Sequence, residues 1–220
     1  MKYLILSKKI WSQNIKKRIN KNYSFENKLN IKRIHKQKPK IIFFVFWSEY
    51  IPKEIYEKFL CIQFHTSDLP KFRGGSPIQN QIINKVYKSK ISAFKVNSIL
   101  DSGDICLKRK IELKGSAEQI FINIEKKAFD MIKFITKKKS IRFTKQKGRA
   151  SYYKRRKPEE SNLNKYKINN LIKFFDLIRS TDAPGYPAAY LNFKNFYIEI
   201  FNAKMSKKTI NAQIKISKKK

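Results

Sequence analysis

The sequence predicts an α/β protein built on a parallel sheet, followed by a small β-rich module. Three observations carry that reading. Ile41–Trp47 is continuously apolar and too short for a helix, the pattern of a strand buried on both faces. That run, a helix opened by Pro52 and a second strand at Cys61–His65 follow one another within residues 41–65, which makes a βαβ unit. Near the C-terminal end, the runs Ala189–Phe193, Phe196–Phe201 and Ile210–Ile216 read as short strands around turns.

The elements follow in order. Tyr3–Leu6 is a short apolar run, ended by Ser7. Ile10, Trp11, Ile15 and Ile19 then stand near helical spacing. Residues 20–40 are polar and basic, anchored weakly by Leu29, Ile31 and Ile34. After Ile41–Trp47, Pro52 suits the first turn of a helix running to Phe59. Residues 66–77 hold the densest turn chemistry. Ser76-Pro77 starts a helix with Ile78, Ile82, Ile83 and Val86 on one face. Ile91–Val96 and Ile105–Leu113 read as strands. Ser116 and Gln119 have capping-box spacing, and Ile120, Ile124, Met131 and Ile135 continue that helix. Residues 137–167 are basic and polar and read as a linker or arm. Ile168, Leu171, Ile172, Phe175 and Ile178 define an amphipathic helix, stopped by Pro184, Gly185 and Pro187. Lys218–Lys220 reads as a frayed tail. The expected division is a domain at 1–140, an arm at 141–167 and a module at 168–217.

Composition bounds the function. With 220 residues, 41% of them apolar, the chain can bury a real core. Lys+Arg is 51 against 16 Asp+Glu, a net charge of +35 that suits polyanionic partners. Only nine of the basic residues are Arg, the side chain best shaped for phosphate and base edges. Lys, Ile and Asn are inflated together, so A/T-rich codon drift accounts for much of the charge. Two cysteines, Cys61 and Cys106, cannot staple a fold of this size. With two histidines they make no structural zinc site, so no metal is expected. No signal peptide or spanning segment is visible, and the expectation is a soluble cytoplasmic protein.

Rarity marks the chemistry. Of six glycines, three are Gly74, Gly75 and Gly103; of six aspartates, three are Asp68, Asp101 and Asp104. His35 lies in a basic stretch and reads as a surface residue. His65 ends a predicted strand, and open α/β sheets bind ligands beyond the carboxyl ends of their strands. A histidine there can act as general acid or base near neutral pH if a carboxylate orients it. Asp68 is suited to capping its own loop. Asp101 and Asp104 share the turn Leu100–Asp104, and spacing does not choose between them. Dinucleotide, P-loop and serine-hydrolase fingerprints are missing.

The segments His65-Thr-Ser-Asp-Leu-Pro70, Arg73-Gly-Gly-Ser-Pro-Ile78 and Leu100-Asp-Ser-Gly103 together resemble the folate-dependent formyltransferase family. Leu177-Ile-Arg179 through Tyr186-Pro-Ala-Ala-Tyr190 is similar to the entry of that family's C-terminal domain, so the likeness covers roughly residues 1–205. It implies a Rossmann-like formyltransferase domain and the donor 10-formyltetrahydrofolate, whose formyl carbon an amine attacks. His65 would polarise the formyl oxygen or handle the amine proton, and Asp101 would orient and charge His65. The family's catalytic asparagine is Gln63 here, one methylene longer; another amide such as Asn80 could assist. The pterin is expected against Phe46, Trp47, Ser48 and Tyr50, closed by Leu100, Ser102, Gly103 and Asp104. The loop Arg73, Gly74, Gly75, Ser76 and Pro77 is assigned to the amine substrate. The stretch before His65 is shorter than in the family, so one βα unit around residues 20–35 is expected to be shortened or lost.

Only 50 residues, 168–217, follow the arm. That length resembles the small modules of sugar N-formyltransferases more than the full barrel of methionyl-tRNA enzymes. The expected substrate is therefore an amino-sugar nucleotide, with methionyl-tRNA as the alternative. The competing class is a non-catalytic nucleic-acid binder, in which Tyr152 and Tyr153 of the basic arm 145–157 would stack on bases. The oligomeric state stays open, a homodimer among the options. Separation of His65 from Asp101 would favour the binder.

Overall fold

The computed structural model describes residues 2–8 and 12–219. Ile10 and Trp11, expected on the first helix, lie outside them, as does Lys220 of the expected tail. The elements are β1 (Tyr3–Leu6), α1 (Gln13–Arg18), β2 (Tyr23–Glu26), α2 (Ile31–Gln37), β3 (Ile41–Val45), α3 (Lys53–Lys58), β4 (Cys61–His65), β5 (Arg73–Gly74), α4 (Pro77–Ile83), β6 (Lys88–Lys95), β7 (Ile105–Glu112), α5 (Ala117–Thr136), β8 (Tyr152–Tyr153), α6 (Leu171–Arg179), β9 (Ala189–Phe193), β10 (Phe196–Met205) and β11 (Ile210–Lys218).

Six strands form one sheet in the order β2-β1-β3-β4-β6-β7. β2, β1, β3 and β4 are parallel throughout, and β6 adds antiparallel to β4. The architecture is thus the expected α/β sheet with a small C-terminal antiparallel module. All five residues of β3 are buried, because both faces of the strand are covered. Ile42 and Phe44 join Leu4, Leu6, Ile34 and Ile55 on the face that packs α2 and α3. On the other face the Phe43 ring meets Tyr3 and Phe64, and the Tyr3 hydroxyl donates to the Thr136 carbonyl of α5. The stretch from residue 20 holds a βα unit of short elements: β2 has four residues and α2 seven.

The chain divides into two compact units. The first comprises 1–74, 89–111 and 122–152; the second comprises 75–88, 112–121 and 153–220. In the first, the basic stretch after α5 carries pairing of its own. Thr144 exchanges both backbone hydrogen bonds with Ile105, and Arg73 N–H donates to the Ser151 carbonyl.

In the second unit, β9, β10 and β11 make a three-stranded antiparallel sheet on which α6 packs through Leu177, Ile178, Ala189 and Ile200. The expected apolar face of α6 is only partly used. Ile178 is buried, but Leu171 and Ile172 are exposed, while Asp176 and Arg179 lie inside as a 2.7 Å ion pair. The capping box forms as spaced: Gln119 N–H donates to Ser116 Oγ, and Ser116 N–H to Gln119 Oε1.

Candidate active site

β3 and β4 run parallel, so their carboxyl ends open on one edge of the sheet, and His65 is the last residue of β4. Its ring is buried and held at both nitrogens. Nε2 lies 2.6 Å from the Phe72 carbonyl, which only accepts, so Nε2 carries the hydrogen. Nδ1 lies 3.4 Å from Asp101 Oδ2. The Gly74 N–H donates to the same oxygen at 2.8 Å. Asp101 is buried and has a left-handed backbone, φ 51°, which turns its carboxylate back toward the strand ends. The structure therefore brings Asp101 to the histidine. The backbone carbonyl of Asp104 instead accepts from Lys95 N–H on β6. Asp68 pairs with Lys90 and Lys108 at 2.9 and 2.6 Å.

Gln63 stands two residues before His65, on the same face of β4 by strand alternation. Its Nε2 donates to the Trp47 carbonyl at 3.4 Å, which ties it to the segment leaving β3. Asn80 lies in the second unit and donates to the Gly75 carbonyl at 2.9 Å. In the Phe46–Tyr50 segment, Phe46 has φ 50° and Trp47 is buried against Phe44. Among the described residues the Trp47 indole N–H has no acceptor. Ser48 is exposed, and Tyr50 stands 78% exposed.

Across the opening, Leu100 is 63% exposed. Ser102 Oγ lies 3.0 Å from Asn97 Oδ1 and 2.9 Å from the Ile99 carbonyl. Gly103 is a packing glycine: a Cβ there would lie 1.6 Å from the Lys95 carbonyl oxygen. Of the expected pterin contacts, Trp47 is thus buried, while Tyr50 and Leu100 stand at the surface.

The loop expected to take the amine falls in both units. Arg73 and Gly74 belong to the first, and the Arg73 guanidinium bonds Tyr152 Oη and Gln146 Oε1 at 2.6 and 2.7 Å. In the second, Gly75 N–H donates to the Tyr153 carbonyl, Ser76 Oγ accepts from Arg156 N–H, and Pro77 opens α4. Gly75 has no room for a side chain, since a Cβ would sit 2.3 Å from Arg155 Cα.

Sequence reading missed Gln146 and the Phe72 carbonyl. Gln146 lies in a stretch whose composition reads as a linker, and Phe72 contributes a main-chain atom, so neither leaves a local signal. Burial pushes the thiols of Cys61 and Cys106 up to about 12, which makes them poor nucleophiles and ligands. Among the described residues no cluster of His, Cys, Asp and Glu could hold a metal, and no helix is long and apolar enough to cross a membrane.

Comparison with known proteins assigns the chain to a family. A family profile described as "Formyl transferase" matches residues 5–160, and one described as "Methionyl-tRNA formyltransferase, C-terminal domain" matches residues 158–217. The second match falls on the short segment whose length suggested a sugar N-formyltransferase module. A solved methionyl-tRNA formyltransferase from Clostridium thermocellum superposes with a TM-score of 0.92, at 38% identity, over 100% of both chains. The methionyl-tRNA formyltransferase of Fusobacterium nucleatum is 30% identical over 86% of this chain and 62% of its own length. The chain thus spans about three-fifths of the curated relatives it matches. A 4-N formyltransferase from Francisella tularensis shares the fold at a TM-score of 0.70 and 17% identity, over 88% of this chain and 93% of that one. With its parallel sheet, its His65–Asp101 pair and a family match over 5–160, the chain belongs to the formyl transferase family.

Proposed function

We propose that the protein transfers a formyl group from 10-formyltetrahydrofolate to the amino group of methionyl-tRNA. The observation that carries the chemistry is the buried His65, whose Nε2–H sits at the carboxyl end of β4 while Nδ1 faces Asp101 at 3.4 Å. A pure nucleic-acid binder has no need of that pair. The choice of methionyl-tRNA over an amino sugar is supported by relatives at 30–38% identity and by the match at 158–217.

The residues leaving β3 fit the donor. The buried Trp47 N–H needs an acceptor, and a flat heteroaromatic with several acceptors supplies one. When bound, the donor supplies an activated formyl carbon. His65 Nε2–H, now on the Phe72 carbonyl, would be the donor available to a formyl oxygen and to negative charge developing there. Asp101 holds the ring and balances its charge. The Gln63 amide adds a second donor, worth about 3 kcal/mol for groups of this kind. Such a transfer would balance, the substrate amine giving up one proton as its C–N bond forms and the departing donor nitrogen taking one up as its own breaks.

The test is formylation of methionyl-tRNA by the purified protein with 10-formyltetrahydrofolate. His65→Asn should lower the rate by at least about 100-fold while leaving folate binding in place. No transfer to methionyl-tRNA by the parent protein would defeat the proposal, and transfer to an amino-sugar nucleotide instead would return the substrate to that class.

A further inference from the structure

The turn that carries Asp101 is held by a side chain from outside both loops of the site. Gln146 Nε2 donates to the Asp101 carbonyl and to the Gly103 carbonyl, each at 2.9 Å. Its Oε1 accepts from Arg73 Nη2 at 2.7 Å. A primary amide has two N–H donors and one strong acceptor, so all three positions that can clamp are used. The amide therefore bridges two loops: residues 101–103, which present the carboxylate to His65, and Arg73-Gly74, whose Gly74 N–H bonds that carboxylate at 2.8 Å.

The turn needs such a clamp. Asp101 is a non-glycine residue at φ 51°, a conformation that costs energy and persists only where surrounding contacts impose it. Gln146 grips it at the residue 101 carbonyl and again two residues on. The Gln146 segment is itself fixed: Thr144 exchanges two backbone hydrogen bonds with Ile105, at 2.8 and 2.9 Å. Arg73 is fixed in turn by Tyr152, whose hydroxyl it bonds at 2.6 Å and whose ring it covers at 5.5 Å.

From this geometry we infer that Gln146 is a positioning residue for formyl transfer, acting through Asp101 on His65. The inference rests on the proposed formyl transfer for its kinetic consequence, but not for its structural one. Gln146 does not touch the reacting atoms. Its task is to keep the carboxylate within reach of Nδ1, where a misplacement of about 1 Å costs on the order of 100-fold in rate.

Gln146→Glu separates the two halves of the clamp. It keeps an oxygen for Arg73 and removes both donors to the Asp101 turn. Gln146→Leu removes everything. Both should lower kcat by about 10- to 100-fold with KM for either substrate within about threefold of the parent. In an Asp101→Asn background the Gln146→Glu change should cost nothing more, because residues acting as a unit are non-additive.

A second readout does not need activity. The chain has only two histidines, so an imidazole nitrogen NMR spectrum holds two signal sets, one from His35 on α2 and one from His65. Gln146→Glu should move the His65 set toward its position in Asp101→Asn and leave the His35 set unmoved. An unmoved His65 set would overturn the inference whatever the kinetics. So would full activity in Gln146→Glu, which would reduce Gln146 to an anchor for Arg73. Denatured-chain shifts for both histidines in both variants would make Gln146 a folding residue, and also overturn it. A parent that transfers no formyl group but shows the expected His65 movement would defeat the proposed reaction and leave the positioning role standing.

Discussion

Replacing Gly103 by Ala tests whether placement of the Asp101 turn sets the rate. The new Cβ would lie 1.6 Å from the Lys95 carbonyl oxygen, 2.8 Å from its carbon and 3.3 Å from Phe94 Cδ2. The nearest two atoms are backbone of β6, which is hydrogen-bonded within the sheet and cannot swing aside. The turn must therefore yield. Reaching even a 3.0 Å contact requires about 1.4 Å of movement. Asp101 lies two residues away, and its carboxylate has a 2.8 Å bond to Gly74 N–H and a 3.4 Å approach to His65 to lose. A shift of about 1 Å at the carboxylate predicts a fall in kcat of about 100-fold. Overpacking should cost about 1–3 kcal/mol of stability besides. The two effects separate when steady-state formylation of methionyl-tRNA is measured well below the urea midpoint of the variant. A kcat within about twofold of the parent, in a folded Gly103→Ala protein, would refute the reasoning.

Three further outcomes follow from groups away from the histidine. Arg179→Met should destabilise the fold by about 3–5 kcal/mol in urea unfolding, because it strands Asp176 inside and removes donors from the Leu113 and Gly115 carbonyls; a loss under about 1 kcal/mol would mean Tyr87, which also donates to Asp176, suffices alone. Burial holds the Glu125 carboxyl above its ordinary 4.5, with Arg18 3.8 Å away pulling it back. A raised folded-state value means the folded chain keeps a proton the unfolded chain gives up, so this group's contribution falls as pH rises above 4.5 and through the folded value. Glu125→Gln should flatten that decline between urea midpoints taken near pH 4.5 and about pH 8, and an unchanged slope would count against it. Finally, with both thiols pushed up to about 12, the native protein should react with a disulfide reagent at pH 8 far more slowly than the denatured chain, which releases two equivalents; rapid native labelling would contradict the burial of Cys61.

Much of this protein is written locally. The apolar run after Lys40 has no polar position to turn toward water, so it can only be a strand covered on both sides, and β3 is that strand. Pro52, Ser76-Pro77 and the Ser116–Gln119 box place three helix starts because capping is a matter of neighbours. His65 was legible because a scarce residue ended a strand beside a loop rich in glycine and proline. Other features depend on residues far apart in sequence. Nothing local distinguishes Asp101 from Asp104; the choice is made by Asp101's left-handed backbone and by Gly74 N–H, 27 positions earlier. The apolar positions of α6 pointed to one buried stripe, yet the helix exposes Leu171 and Ile172 and buries an ion pair whose Arg179 guanidinium donates to the Leu113 and Gly115 carbonyls, more than sixty residues earlier. Gln146 is the extreme case. In a basic, polar stretch its amide has no local partner, and only folding brings it to two carbonyls more than forty residues away. Composition and spacing report what a residue does with its neighbours in sequence; the clamp on the Asp101 turn is made between segments that meet only when the chain is folded.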